Sequence, residues 1–127
     1  MPLAYWCVLI AAILPLLIVV IAKTGGGGDN HHPRERIDRM PPRNRRAYAA
    51  HLNAYENFPF FAAAVIIAHT QGAPLGMLNG MAVSYIALRI LHALLYVADY
   101  AASRSLAFTA AWLVNIAIFV LPVFGAT

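Results

Sequence analysis

Residues 2–22, PLAYWCVLIAAILPLLIVVIA, carry no charged side chain. A helix that rises about 1.5 Å per residue needs about 20 predominantly apolar residues to cross a hydrocarbon core roughly 30 Å thick. This stretch therefore reads as a membrane span, bent at Pro15 where the ring removes a backbone donor. The rest of the chain agrees: of its 127 residues 61% are hydrophobic and 11% charged, too little polar surface to clothe a soluble domain. A cleavable leader would place positive charge ahead of its apolar core, whereas here Lys23 follows the apolar run, so the segment is expected to stay as a helix in the membrane.

Outward from this segment, three further stretches are long and apolar enough to be helices, at about 45–70, 75–100 and 105–125. The expected class is all-α, an integral membrane four-helix bundle forming a single domain over residues 1–127. Gly72-Ala73-Pro74 and the residues from Ala101 to Ser105 are short links, so the helices they join should pack antiparallel. The only long connection is the basic loop at 23–44, which opens with glycines at 25–28, contains His31-His32 and closes on Pro41-Pro42. Its glycines are expected to make it mobile. Ala62, Ala63, Ala64 and Ala68, with Gly76 and Gly80 at i, i+4, are small enough to let helix backbones approach closely.

Charge orients the bundle. Lys23, Arg34, Arg36, Arg39, Arg43, Arg45 and Arg46 lie in or beside the first loop and Arg104 in the third, while the second loop and both termini have no Lys or Arg. The positive-inside rule then places loops one and three in the cytoplasm and both termini on the other side. The net charge of +4 is interrupted by Asp29, Glu35 and Asp38 and sits beside a membrane, a pattern that suits anionic headgroups and argues against nucleic acid. Cys7 is the only cysteine, which excludes a disulfide within the chain and a zinc motif. Adjacent His31-His32 lack the i, i+4 spacing and third ligand of a metal site, so none is expected. Thiol chemistry would require a bound co-substrate.

Depth brings the polar residues of the spans together. Asn53 and Glu56 stand one turn apart on helix two, and Arg89, His92 and Tyr96 recur at i, i+3 and i+7 on helix three. With the stated topology these residues, together with Arg46, Arg104 and Ser105, occupy the cytoplasmic half of the membrane. An ionised side chain near mid-membrane costs about 2.5–3.5 kcal/mol on insertion scales, so Glu56 and Arg89 need partners. The structural alternative is an ion bridge between those two. His92 is otherwise an interhelical hydrogen-bonding residue, and Tyr96 and Tyr100 interfacial anchors. His51 and His69 read as structural, and Asp99 either caps helix three or pairs with Arg104.

Arg46-Ala47 followed by Ala50-His51-Leu52-Asn53-Ala54-Tyr55-Glu56-Asn57-Phe58-Pro59-Phe60, then Arg89-x-x-His92-x-x-x-Tyr96 and Arg104-Ser105, resembles the MAPEG family, the membrane-associated proteins in eicosanoid and glutathione metabolism. The resemblance covers all four spans. It implies a homotrimer that holds glutathione between subunits at the cytoplasmic side, as a transferase or peroxidase acting on lipophilic electrophiles or lipid hydroperoxides. By that likeness Glu56 takes the glutathione amino group, Asn53 its backbone, and Arg46, Arg89, His92 and Tyr96 its remaining polar groups, with Arg104 and Ser105 at the sulfur. A cation and a helix N-terminus lower the pKa of a thiol, and both are expected at the start of helix four. The chain departs from the family pattern at Ala49, where many members have arginine, and at Phe108, where some have tyrosine. A non-catalytic lipid-binding or scaffold protein of the same fold is the second reading. A proton-coupled exporter is a third, disfavoured because helix one has no acid. Short loops suit a bacterial inner-membrane member.

Overall fold

A computed structural model describes residues 1–24 and 35–126. The glycine run, His31-His32 and Arg34 lie outside the described residues. The architecture is all-α: α1 (Leu3–Lys23), a 3-10 turn (Glu35–Arg39), α2 (Pro42–Thr70), α3 (Leu75–Val97) and α4 (Ala101–Phe124), with no strand among the described residues. The two central helices are α2, which touches every other helix, and α3; α1 and α4 flank them without touching each other among the described residues.

Three helices, α1, α3 and α4, are long and apolar enough to cross a membrane. Four spans were expected, and α2 is the exception because its first half carries three arginines, His51, Asn53, Glu56 and Asn57. Large apolar side chains face outward along the bundle, among them Leu16, Leu17 and Val20 on α1, Leu94 on α3 and Leu113 on α4. Exposure of this kind is what a lipid solvent favours and water does not.

Small residues set the spacing of the interior. Ala4, Cys7 and Ala11 of α1 meet Phe61, Ala64 and Val65 of α2, and Leu78, Ala82 and Tyr85 of α3 complete the main core with Ala111 and Ile118 of α4. Phe61 and Tyr85 stack with ring centroids 4.0 Å apart. Gly76 and Gly80 take no part in this packing within the chain, since a methyl group added at either would meet nothing within 4 Å. At the basic end a second cluster joins Ile18, Ala50, Ala54 and Ala93.

Helix ends explain where the boundaries differ from expectation. Pro42 starts α2 inside the stretch expected to be loop, because proline tolerates the first helical turn and Pro41 before it is extended. α2 ends in a Schellman motif: Gly72, at φ 80°, donates to the His69 carbonyl and Ala73 to the Ala68 carbonyl. α3 ends the same way, three residues before the expected limit, with Asp99 at φ 67° donating to Tyr96 and Tyr100 to Leu95. Asp99 thus caps helix three through its backbone. The chain re-enters helix at Ala101, so residues expected to link α3 and α4 form the first turn of α4.

Interhelical hydrogen bonds fix the pairs. His51 Nδ1 lies 2.8 Å from the Pro15 carbonyl, and since a carbonyl only accepts, the proton sits on Nδ1. At the opposite end Tyr5 and His69 share a 2.9 Å bond, and Ala4 N–H donates to Asn79 Oδ1.

Candidate active site

Asn53 of α2, His92 and Tyr96 of α3, and Arg104, Ser105, Phe108 and Thr109 of α4 line one open cleft of about 280 Å³. Five of the eight residues singled out from sequence are among them. The i, i+4 periodicity of α3 puts His92 and Tyr96 on one face, where their rings meet edge to face at 5.7 Å. Arg104 lies over the Tyr96 ring at 4.3 Å, so the tyrosine face holds the guanidinium at the cleft wall.

Arg89 is buried behind this lining, one turn before His92 on α3. It is 4% exposed, and its Nη2 donates to Asn53 Oδ1 at 2.7 Å. Asn57 Nδ2 donates to the Asn53 carbonyl at 2.8 Å and to Oδ1 at 3.2 Å. With Oδ1 engaged by two donors, Asn53 keeps its own NH2 group for the cleft. Arg89 Nη1 and His92 Nδ1 are buried without a hydrogen-bond partner among the described residues. Polar groups buried in that condition ask for water or ligand atoms.

The remaining sequence candidates lie outside the cleft. Arg46 sits nearly two turns before Asn53 and spends its Nε on the Val97 carbonyl at 3.1 Å, capping the C-terminal end of α3. Glu56 is exposed, turned about 60° round the helix axis from Asn53. It has no hydrogen bond or ion pair among the described residues, so the alternative of a Glu56–Arg89 bridge is replaced by the Asn53–Arg89 bond. Arg104 and Ser105 are not the first residues of α4, since Arg104 N–H already donates to the Tyr100 carbonyl. Only the guanidinium, and no free helix-end donor of that residue, is available to an anion.

Sequence reading passed over four residues. Asn57 orients Asn53, Thr109 lines the cleft while bonding the Ser105 carbonyl, and Tyr85 reaches the Asn57 carbonyl at 3.4 Å. Asn115 is 1% exposed, with its Oδ1 unpartnered among the described residues. A lone amide inside an otherwise apolar segment was the available signal for Asn115, and the i+4 spacing from Asn53 was the signal for Asn57. No group of His, Cys, Asp or Glu side chains among the described residues is arranged to hold a metal ion.

Among the described residues the cleft is therefore cationic: Arg104 lines it, Arg89 is buried behind Asn53, and no acidic residue lines it. The MAPEG family model matches residues 3–124, through all four helices. The chain belongs to the MAPEG family. No curated protein and no solved structure matches it. The family comprises integral membrane helical bundles, and its members include glutathione transferases and peroxidases as well as non-catalytic proteins.

Proposed function

We propose that this MAPEG member is a glutathione-dependent membrane transferase or peroxidase that acts on lipophilic electrophiles or lipid hydroperoxides. The observation that supports it most is the convergence of Asn53, His92, Arg104 and Ser105 on one cleft, with Arg89 buried behind Asn53 and no carboxylate among the described lining residues. Such a cleft favours an anionic ligand rich in acceptors, and glutathione offers two carboxylates and a thiol. Arg104 stabilises the thiolate, and the Ser105 hydroxyl donates to it. Asn53 and Arg89 bind the peptide backbone and a carboxylate, with His92 supplying a further polar contact and Tyr96 fixing Arg104. In conjugation the sulfur lone pair forms the new C–S bond and the leaving group departs with its electron pair. In peroxide reduction the sulfur takes the outer oxygen, the alkoxide leaves and is protonated, and a second glutathione displaces hydroxide from sulfur to give the disulfide.

A homotrimer completes this proposal. Glu56 stands on the exposed face of α2 with Leu52 and Pro59, and a neighbouring subunit would shield it and share it with its own cleft. Arg46 helps bind by holding α2 against α3. The basic end faces the cytoplasm by the positive-inside rule, in a setting that suits a bacterial inner membrane. A specific observation favours the second reading, a non-catalytic lipid-binding or scaffold protein: Phe108 gives the cleft an apolar wall and no hydroxyl beside His92.

Calorimetry of the detergent-purified protein with glutathione separates the readings, followed by conjugation of an aromatic halide and reduction of a hydroperoxide. Binding at millimolar glutathione with turnover of either acceptor supports the enzyme. Binding without turnover supports the scaffold, and no binding at that concentration rejects the enzyme.

A further inference from the structure

A larger groove, of about 470 Å³, runs between α1 and α3 away from the catalytic cleft and independent of its chemistry. Its walls are Leu14, Ile18 and Ile21 on one side and Ile90, Ala93 and Val97 on the other; among the described residues its only charged lining residue is Arg43. From Leu14 to Ile21 the groove follows α1 for about 10 Å, towards the basic end of the bundle.

Arg43 is set at the mouth by its neighbours. Asn44 Nδ2 donates to the Ile21 carbonyl at 3.0 Å, tying the start of α2 to the end of α1. Arg46 Nε ties it to the end of α3 through Val97. Both flanking side chains are thus committed to helix ends, whereas the Arg43 guanidinium is exposed and has no hydrogen bond or ion pair among the described residues. The first turn of α2 carries no acidic residue, and the positive end of its dipole lies there.

We propose that this groove is a binding site for an anionic phospholipid, with an acyl chain along Leu14, Ile18 and Ala93 and the phosphate on Arg43. Charge and polarity run in the order that a lipid of the leaflet at the basic end requires: hydrocarbon towards the bilayer centre, a single cation at the interface. A second copy of the chain, which would meet the same apolar walls, is not favoured, because it would bury an unpaired guanidinium at the rim.

The test is native mass spectrometry of the full chain released from micelles containing equimolar phosphatidylglycerol and phosphatidylcholine. Retained phosphatidylglycerol should exceed phosphatidylcholine, and Arg43→Gln should reduce that preference about fivefold, the contribution of one cation at a membrane surface. Ala93→Phe, which fills the groove, should reduce retention of both lipids. Arg39→Gln, at the same basic end but outside the groove, should leave retention unchanged. Equal retention of the two lipids by the unaltered chain would overturn the proposal, as would an equal loss in Arg39→Gln, which would mean diffuse surface charge. So would an Ala93→Phe protein that falls apart into smaller assemblies while keeping its lipid, which would assign the groove to a second copy. Glutathione binding, measured separately, is untouched by either result.

Discussion

Asn53 links buried Arg89 to the cleft: its Oδ1 accepts from that guanidinium and from Asn57, and its NH2 remains for a ligand. Removing that acceptor in Asn53→Ala leaves a guanidinium buried without its partner, and should destabilise the protein by about 2–3 kcal/mol. A clear fall in the melting temperature in detergent is expected; an unchanged one would mean that Arg89 finds another acceptor. Arg104→Ala should behave in the opposite way. Its contact with the Tyr96 ring is worth about 0.5–1 kcal/mol, so stability should barely change, while kcat falls about 10²-fold if the guanidinium stabilises charge on sulfur. Loss of glutathione affinity with kcat retained would move Arg104 from catalysis to binding. The sequence singles out Asn53, His92, Tyr96, Arg104 and Ser105, which line one cleft, because polar residues on or beside apolar helices are expensive and stand out. It did not show that Arg89 bonds the amide and not Glu56. Residues at i and i+3 both look available on paper, but only one of them is turned towards α3.

At the scale of the helix, apolar runs made the four segments legible, since length and hydropathy depend on the sequence alone. The sequence does not show where α3 gives way to α4, because the usual signal is a glycine, and here Asp99 occupies the left-handed position. Asp99→Gly should therefore raise stability by about 0.5–1 kcal/mol by relieving the side chain of a positive φ. Chemical denaturation would measure it, and a loss of stability would show that the Asp99 side chain contributes more than its backbone. Arg46→Gln removes the charged cap on Val97 and should cost about 1–2 kcal/mol, with hydrogen exchange accelerated first at the C-terminal turn of α3. Uniform acceleration across the bundle would instead point to a core role. The apolar second half of α2 makes it resemble a fourth span; its polar first half sets it apart from α1, α3 and α4.

The whole molecule was the easiest level to read, since 61% hydrophobic residues and 11% charged ones leave few alternatives to an integral membrane protein. Assembly is harder, because an exposed Glu56 is a property of one chain, and the proposed trimer would place its partner on another. If Glu56 serves a neighbour's cleft, co-expressed Glu56→Gln and Arg104→Ala chains, each inactive alone, should regain part of the activity in mixed assemblies. No recovery would place each cleft within a single chain. The most direct measurement is the ultraviolet thiolate absorbance of glutathione bound at neutral pH, below the pKa of about 8.5 of a free thiol. A cationic cleft built on Arg104 predicts a thiolate band on binding, lost in Arg104→Ala even where glutathione still binds. Glutathione bound with no such band, or with a band that survives in Arg104→Ala, would contradict it.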